Sequence, residues 1–329
     1  MRYAVFFLLV AMASAVSEVS LAAEPSLVLE AKIPLGAVAG RIDHFAIDLV
    51  RQQLFVAELG NNSVGVVDLA SGTVIHRIAG LKEPQGIGYL PRTDTLYVAN
   101  AGDGAVQLYR GADFAPSGRI ALGDDADNVR IDEAHDRIWV GYGNGALAAI
   151  DAVSNRKTID IPLKAHPESF RLAADGGRIF ANVPDAGQIA VVDVAAGKAV
   201  SAIETHGARG NFPMALDTAT GRILAVFRNP PQLIAYAMDD GRRVASVATC
   251  GDADDVFLDA KRRRLYVSCG SGAIDVLDAA SEAYQRIAHI ATVTGARTSL
   301  FVPERDRLYL AVRATGGEPA AIWIFRPTP

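Results

Sequence analysis

The chain's 329 residues carry 32 Lys and Arg against 37 Asp and Glu, a formal net charge of −5. That mild acidity argues against nucleic acid or an anionic membrane surface as partner, because both need clustered basic charge. With only two cysteines, Cys250 and Cys269, there is no Cys-x-x-Cys pair for a zinc or redox site.

In chain order, the first feature is an apolar run over residues 4–15 behind Arg2, interrupted only by Ser14. Small residues at Ala13-Ser14-Ala15 and Ser20-Leu21-Ala22 offer two cleavage sites. This pattern predicts a secretory signal peptide over 1–22 and places the mature protein in the periplasm or outside the cell. The run is shorter than the ~20 apolar residues of a membrane anchor, and no later stretch reads as a span. Residues 23–329 are then expected to form one domain.

From residue 54 onward one strand phrase recurs seven times. It reads Leu54-Phe55-Val56-Ala57, Leu96-Tyr97-Val98-Ala99, Ile138-Trp139-Val140-Gly141, Ile179-Phe180-Ala181-Asn182, Ile223-Leu224-Ala225-Val226, Leu265-Tyr266-Val267-Ser268 and Leu308-Tyr309-Leu310-Ala311, at spacings of 42, 42, 41, 44, 42 and 43 residues. A strand-built period of this length is one propeller blade. The second unit predicts four strands, over 86–90, 96–100, 105–109 and 117–122, with a turn at 91–94. Asp68, Asp151, Asp193 and Asp278 close the third strands and are expected to cap the following turn. Gly72, Gly197 and Gly241 supply the positive φ of that hairpin. The seventh unit stops after its third strand (321–325), while a spare strand (27–34) precedes the first unit. Pairing the two would close the ring. The fold class is therefore all-β, a seven-bladed β-propeller of four-stranded antiparallel blades closed by the amino-terminal strand in the last blade.

The phrase Leu96-Tyr97-Val98-Ala99-Asn100 ahead of Asp103-Gly104 resembles the YVTN-repeat propellers of secreted bacterial and archaeal proteins. The resemblance implies the propeller fold over nearly the whole mature chain. It also implies a range of roles: binding or surface proteins, lactonases, and subunits of dehydrogenases.

Loops leading into the innermost strands should gather on one face around the central channel, the usual place for a site. In most repeats a solvent loop needs only turn formers, yet here the loops are charged and unlike one another. The first two supply Arg41, Asp43, His44 and Gln85; the third and fourth supply Asp127, Asn128, His166 and Glu168; the last three supply Phe212, Asp254, Asp255 and Arg297. Second-strand ends add Arg228, with Glu58, Asn100, Tyr142, Asn182, Cys269 and Arg313 expected on the same face. Arg130 and Arg171 sit inside innermost strands, where carboxylates such as Asp43, Asp127 and Glu168 or a bound anion must satisfy them. A closed salt network filling the channel is the competing expectation.

His44, His166 and His206, with Asp254, are candidate ligands for a divalent metal, since imidazole and carboxylate suit several such ions. No cofactor is otherwise expected, and the calcium-loop pattern is missing. Gly141-Tyr142-Gly143-Asn144-Gly145-Ala146 brushes a dinucleotide fingerprint, but no helix follows it. Cys250 and Cys269 are expected to form a disulfide in an exported protein, the alternative being two buried thiols. Arg262-Arg263-Arg264 is expected to be a solvated turn on the opposite face.

No nucleophile elbow or His-Glu-x-x-His helix is present. The leading expectation is a monomeric, non-catalytic binder of a small molecule, peptide or protein partner at the mouth of the channel. The alternatives are a metal-assisted or lactonase-like hydrolase using His44, Asp43, Glu168 or His166 as acid/base or ligand, and an accessory subunit of a periplasmic redox complex.

Overall fold

The computed structural model describes Met1, residues 25–110 and residues 113–329; the expected signal peptide lies outside the described residues. Twenty-eight strands form seven four-stranded antiparallel sheets. The first strand is β1 (Leu27–Gly36). Blade 1 is β2 (Phe45–Asp48), β3 (Gln53–Glu58), β4 (Ser63–Asp68) and β5 (Thr73–Ala79); blade 2 is β6 (Pro84–Leu90), β7 (Thr95–Asn100), β8 (Ala105–Arg110) and β9 (Ala115–Ala121). Blade 3 is β10 (Ala126–Asp132), β11 (Arg137–Tyr142), β12 (Ala146–Asp151) and β13 (Arg156–Pro162); blade 4 is β14 (Phe170–Leu172), β15 (Arg178–Val183), β16 (Gln188–Asp193) and β17 (Lys198–Glu204). Blade 5 is β18 (Arg209–Asp217), β19 (Arg222–Asn229), β20 (Pro231–Ala237) and β21 (Arg243–Ala248); blade 6 is β22 (Ala253–Asp259), β23 (Arg264–Cys269), β24 (Ala273–Asp278) and β25 (Arg286–Ala291). Blade 7 is β26 (Ser299–Val302), β27 (Arg307–Val312), β28 (Ala320–Pro327) and, outermost, β1.

The recurring phrase is the second strand of each blade, buried on both faces. Because side chains alternate along a strand, Leu54 and Val56 pack toward blade 7 while Phe55 and Ala57 pack toward blade 2. The same division recurs at Leu96 and Val98 against Tyr97 and Ala99. The buried apolar residues thus fall into seven clusters, one at each blade-to-blade interface. Turns follow the expected chemistry. Asp68, Asp151, Asp193 and Asp278 accept hydrogen bonds from backbone amides two or three residues ahead, and Gly72, Gly197 and Gly241 have φ of 67°, 62° and 72°.

Ring closure is antiparallel pairing of β1 with β28, Leu27 opposite Pro327 and Ile33 opposite Ile322. Glu30 reinforces it from β1, meeting Arg307 and Arg326 at 2.6 Å each. The arginine turn departs from expectation. Arg262 is bound by Asp306 at 2.6 Å and donates to the Thr328 carbonyl at 2.9 Å, while Arg264 reaches the same carbonyl at 2.7 Å. Arg263 pairs with Asp217 at 2.5 Å. These three side chains lie over the seams between blades 5, 6 and 7, where carboxylates and free carbonyls outcompete water for them. Arg262→Ala is therefore not a neutral surface change.

Cys250 and Cys269 are joined in a disulfide with Cα atoms 5.8 Å apart, between the blade 5 exit and the end of β23.

Two outcomes test this arrangement. Deleting residues 25–36 leaves β28 as an open edge and exposes the interface between blades 7 and 1; cooperative unfolding followed by circular dichroism should be lost, and an unchanged midpoint would contradict the closure. Replacing both cysteines by Ser should lower unfolding free energy by about 3 kcal/mol on the chain-entropy argument for a loop of this length, read from urea titrations of the oxidised protein and the double variant.

Candidate functional site

Where the inner strands begin, four of them are bulged: β6 between Pro84 and Ile87, β10 between Ala126 and Val129, β18 between Asn211 and Met214, and β22 between Ala253 and Asp255. A bulge adds residues that have no partner across the ladder and re-aims their side chains. Gln85, Asp127, Phe212 and Asp254 all lie in these bulged segments and all line a cavity at the channel mouth. Gly86 makes room for this: a Cβ there would sit 1.9 Å from the Asp127 carbonyl oxygen, so blades 2 and 3 can approach only with glycine.

The mouth cavity has a volume of about 240 Å³ and takes at least one side chain from every blade. Arg41 comes from blade 1, Gln85 from blade 2, Asp127 from blade 3, His166 and Glu168 from blade 4, Phe212 and Arg228 from blade 5, Asp254 from blade 6 and Arg297 from blade 7. The sequence pointed to all of these. It missed Asp125, which also lines the cavity, and Asp252, which pairs with Arg297 at 2.8 Å and Arg228 at 3.2 Å. Both sit at positive φ, 38° and 59°, one residue before an inner strand, where Asp is tolerated; the Asp-rich runs were the available signal.

The remaining candidates separate from this group. His44, Arg130, Arg171 and Asp255 line a second cavity further along the inner strands. Asp43 is buried between the two levels, 2.7 Å from Arg41 and 3.7 Å from His44. Asn128 is buried and accepts from Arg130 Nη2 at 2.9 Å, so it supports an arginine and lines neither cavity. The carboxylate partners expected for Arg130 and Arg171 are not realised: among the described residues neither guanidinium forms an ion pair. His206 lies apart, in surface clefts beside blade 4.

Of the second-strand ends, Arg228 alone reaches the mouth cavity. Glu58 is buried under Arg77 and Ser63; Asn100 binds the backbone of Lys82, Val98 and Ala105. Asn182 is fully buried and donates to the Phe212 and Pro213 carbonyls at 3.1 and 3.2 Å. Tyr142 binds Asp160, Arg313 binds the Gly295 carbonyl, and Cys269 is in the disulfide. Buried polar ends must be satisfied locally, and most find partners within their own blade; Asn182 reaches across to blade 5 and fixes the segment that carries Phe212.

Charge is unevenly paired around the mouth. Arg228 and Arg297 share Asp252 and Asp254, with Arg297 Nε 3.0 Å from Asp254. The Arg228 guanidinium also lies over the Phe212 ring at 3.6 Å, a cation–π contact. Across from this network the balance is different. His166 donates from Nδ1 to the Gly143 carbonyl at 2.6 Å and stands 3.5 Å from Asp125 and 3.9 Å from Asp127. Asp127 Oδ1 is buried without a hydrogen-bond partner among the described residues. Burial, then the Asp127 charge, pushes the Glu168 carboxyl up to about 7. Burial disfavours the His166 cation, but Asp127, the Gly143 carbonyl and Asp125 outweigh it and lift its pKa to about 9. Burial also opposes ionisation of Asp127, and His166, His44 and Arg41 overcome that and hold its pKa below the usual value.

No three His, Cys, Asp or Glu side chains among the described residues are arranged to hold a metal ion. No protein-family model and no curated protein sequence matches the chain. Solved structures do. A chain of the mitotic checkpoint complex superposes with a TM-score of 0.76 at 14% identity over 98% of both chains. A chain of Kuenenia stuttgartiensis hydrazine synthase superposes with a TM-score of 0.66 at 16% identity, over 84% of this chain and 94% of that one. At such identities the likeness establishes the fold class, a seven-bladed β-propeller, and that alone.

Both raised pKa values carry the same sign. A carboxyl lifted from 4.5 to about 7 and an imidazole lifted from 6.5 to about 9 each bind protons more tightly in the folded state, so stability falls as pH rises through these ranges. Glu168→Gln should flatten the decline between pH 4.5 and 7, and His166→Gln that between 6.5 and 9, by about 1–3 kcal/mol each. Urea unfolding across pH checks this; variant-to-wild-type differences that do not vary with pH would contradict it.

Proposed function

We propose that the protein is an exported propeller of the YVTN type whose channel mouth binds a small ligand or the tip of a peptide or protein partner, without catalysis. Export rests on the amino-terminal segment 1–22, and the YVTN assignment on the repeat phrase at 96–100. One observation carries the binding function: chemically unlike side chains from all seven blades converge on one cavity, which repeat symmetry would not require. On the blade 5 to 7 side the ionic groups satisfy each other. On the blade 3 and 4 side, among the described residues, Asp127 keeps an unpartnered oxygen and Glu168 makes no ion pair or side-chain hydrogen bond. The ligand that complements this side presents hydrogen-bond donors, an ammonium or amidinium above all.

A second reading has its own observation. A carboxyl near pH 7 and an imidazole near 9 in one cavity are matched to general acid–base work, which keeps a hydrolase, lactonase-like in type, as the alternative. The redox-accessory reading has the family resemblance and the fold likeness to a hydrazine synthase chain behind it, but no residue of the mouth.

Calorimetric titration with small amines, amidines and amino-acid amides separates these. Binding should weaken about tenfold or more in Glu168→Gln and Asp127→Asn, while Arg92→Ala, on the opposite face, leaves it unchanged. Turnover of a lactone or ester panel that disappears in Glu168→Gln would support the hydrolase instead. Stoichiometric divalent metal in chelator-free protein, lost in His44→Ala, would make that hydrolase metal-assisted.

A further inference from the structure

Further along the bore lies a cavity of about 470 Å³, within the range of small-molecule sites. Its walls come from the inner strands of every blade but the fifth, and much of its lining is apolar, including Ile47, Ile87, Val129, Ile131, Phe257 and Leu300. Into this cavity point two guanidiniums from adjacent blades, Arg130 on β10 and Arg171 on β14.

Their bonding is unlike that of the mouth arginines. Arg130 donates only to neutral acceptors: the Val129 and Phe170 carbonyls at 2.8 and 3.2 Å, Asn128 Oδ1 at 2.9 Å and Ser169 Oγ at 3.4 Å. Arg171 makes a single long bond of 3.4 Å to the Phe170 carbonyl. Neither has an ion-pair partner among the described residues, whereas Arg41 has one and Arg228 and Arg297 have two each. Burial, and for Arg130 the neighbouring charge of Arg171, disfavours both cations, yet arginine does not give up its proton in a protein. The facing groups do not neutralise them. Burial lifts the Asp255 carboxyl to about 7, and its Oδ2 is taken by the Ser299 amide at 2.8 Å. His44 loses proton affinity to burial, but Asp43, Asp255 and Asp127 more than restore it, leaving its pKa above the usual value.

We propose that this inner cavity binds an organic monocarboxylate, the carboxylate received by Arg130 and Arg171 and the apolar body lying against the isoleucine, valine, leucine and phenylalanine walls. The planar fork of a guanidinium matches a carboxylate in bidentate fashion. A phosphate dianion would bring a second negative charge toward Asp255, Asp127 and Asp43 that a monocarboxylate does not, and an inorganic anion would leave the apolar walls unused. The site rests on the reading that the bore accepts ligands, but it uses none of the mouth residues.

The test is calorimetric titration of the mature protein with straight-chain and aryl monocarboxylates, each paired with its neutral amide, alongside an aryl phosphonate and sodium sulfate. At least one carboxylate should bind, with its amide, the phosphonate and sulfate about tenfold weaker or more. Arg130→Gln and Arg171→Gln should each weaken the carboxylate about tenfold, and Arg92→Ala should not. Should a Gln variant fail to fold, Arg171→Lys and Arg130→Lys, which keep the charge but not the fork, serve the same purpose, each weakening binding with the fold intact. No heat from any carboxylate, equal binding of the amide or sulfate, or undiminished binding in the folded variants overturns the proposal. If amines still bind in a Glu168-dependent way while carboxylates do not, the inner site fails and the mouth reading stands.

Discussion

The constraint on which this molecule depends is that its apolar core exists only between blades. Each second strand divides its side chains between two neighbours, Leu54 and Val56 on one side and Phe55 and Ala57 on the other. A blade without a neighbour leaves half of that set in water, at about 25 cal/mol for each Å² of apolar surface. Closure by β1 is therefore the step that gives the last interface its second half. It also explains why Glu30 gathers charged partners across the closing strand pair within blade 7, and Arg262 across the seam between blades 6 and 7.

A core confined to interfaces leaves the bore free to differ from blade to blade. The inner strands send alternate side chains into the interfaces on both sides, as Phe45 and Ala46 do, but the charged residues of the loops that lead into them lie outside those clusters and can vary at little cost to the fold. The bulges at Gln85, Asp127, Phe212 and Asp254 exploit this freedom. They turn side chains toward the axis that a regular ladder would direct elsewhere. The result is two levels of polar chemistry along one bore: a mouth with surplus acceptors on blades 3 and 4, and an inner cavity with surplus guanidinium.

How much of this was legible beforehand differed by kind. The repeat period, the turn aspartates and the spare strand at 27–34 are local or periodic features, and the fold follows from them. Most of the mouth was legible too, because loops such as those around Asp43 and His166 broke the repeat's symmetry in plain view. Glu58, Asn100 and Asn182 fall at the ends of second strands as Arg228 does, but burial made each satisfy backbone or a neighbouring arginine instead. Asp125 and Asp252 hold positive-φ turn positions on the rim, so their backbone conformation and their place at the mouth coincide. Arg262, Arg263 and Arg264 read as a solvated run because nothing local announces that Asp217 and Asp306, some 45 residues away in either direction, converge on them.

By itself the sequence determined the number of blades and the direction of closure, since both are written in a period that strand geometry enforces. Tertiary structure decided which charges meet. Pairing Arg297 with Asp252 while leaving Arg171 without a carboxylate depends on blade-to-blade angles and bulge register, and those are properties of the closed ring that no single repeat contains.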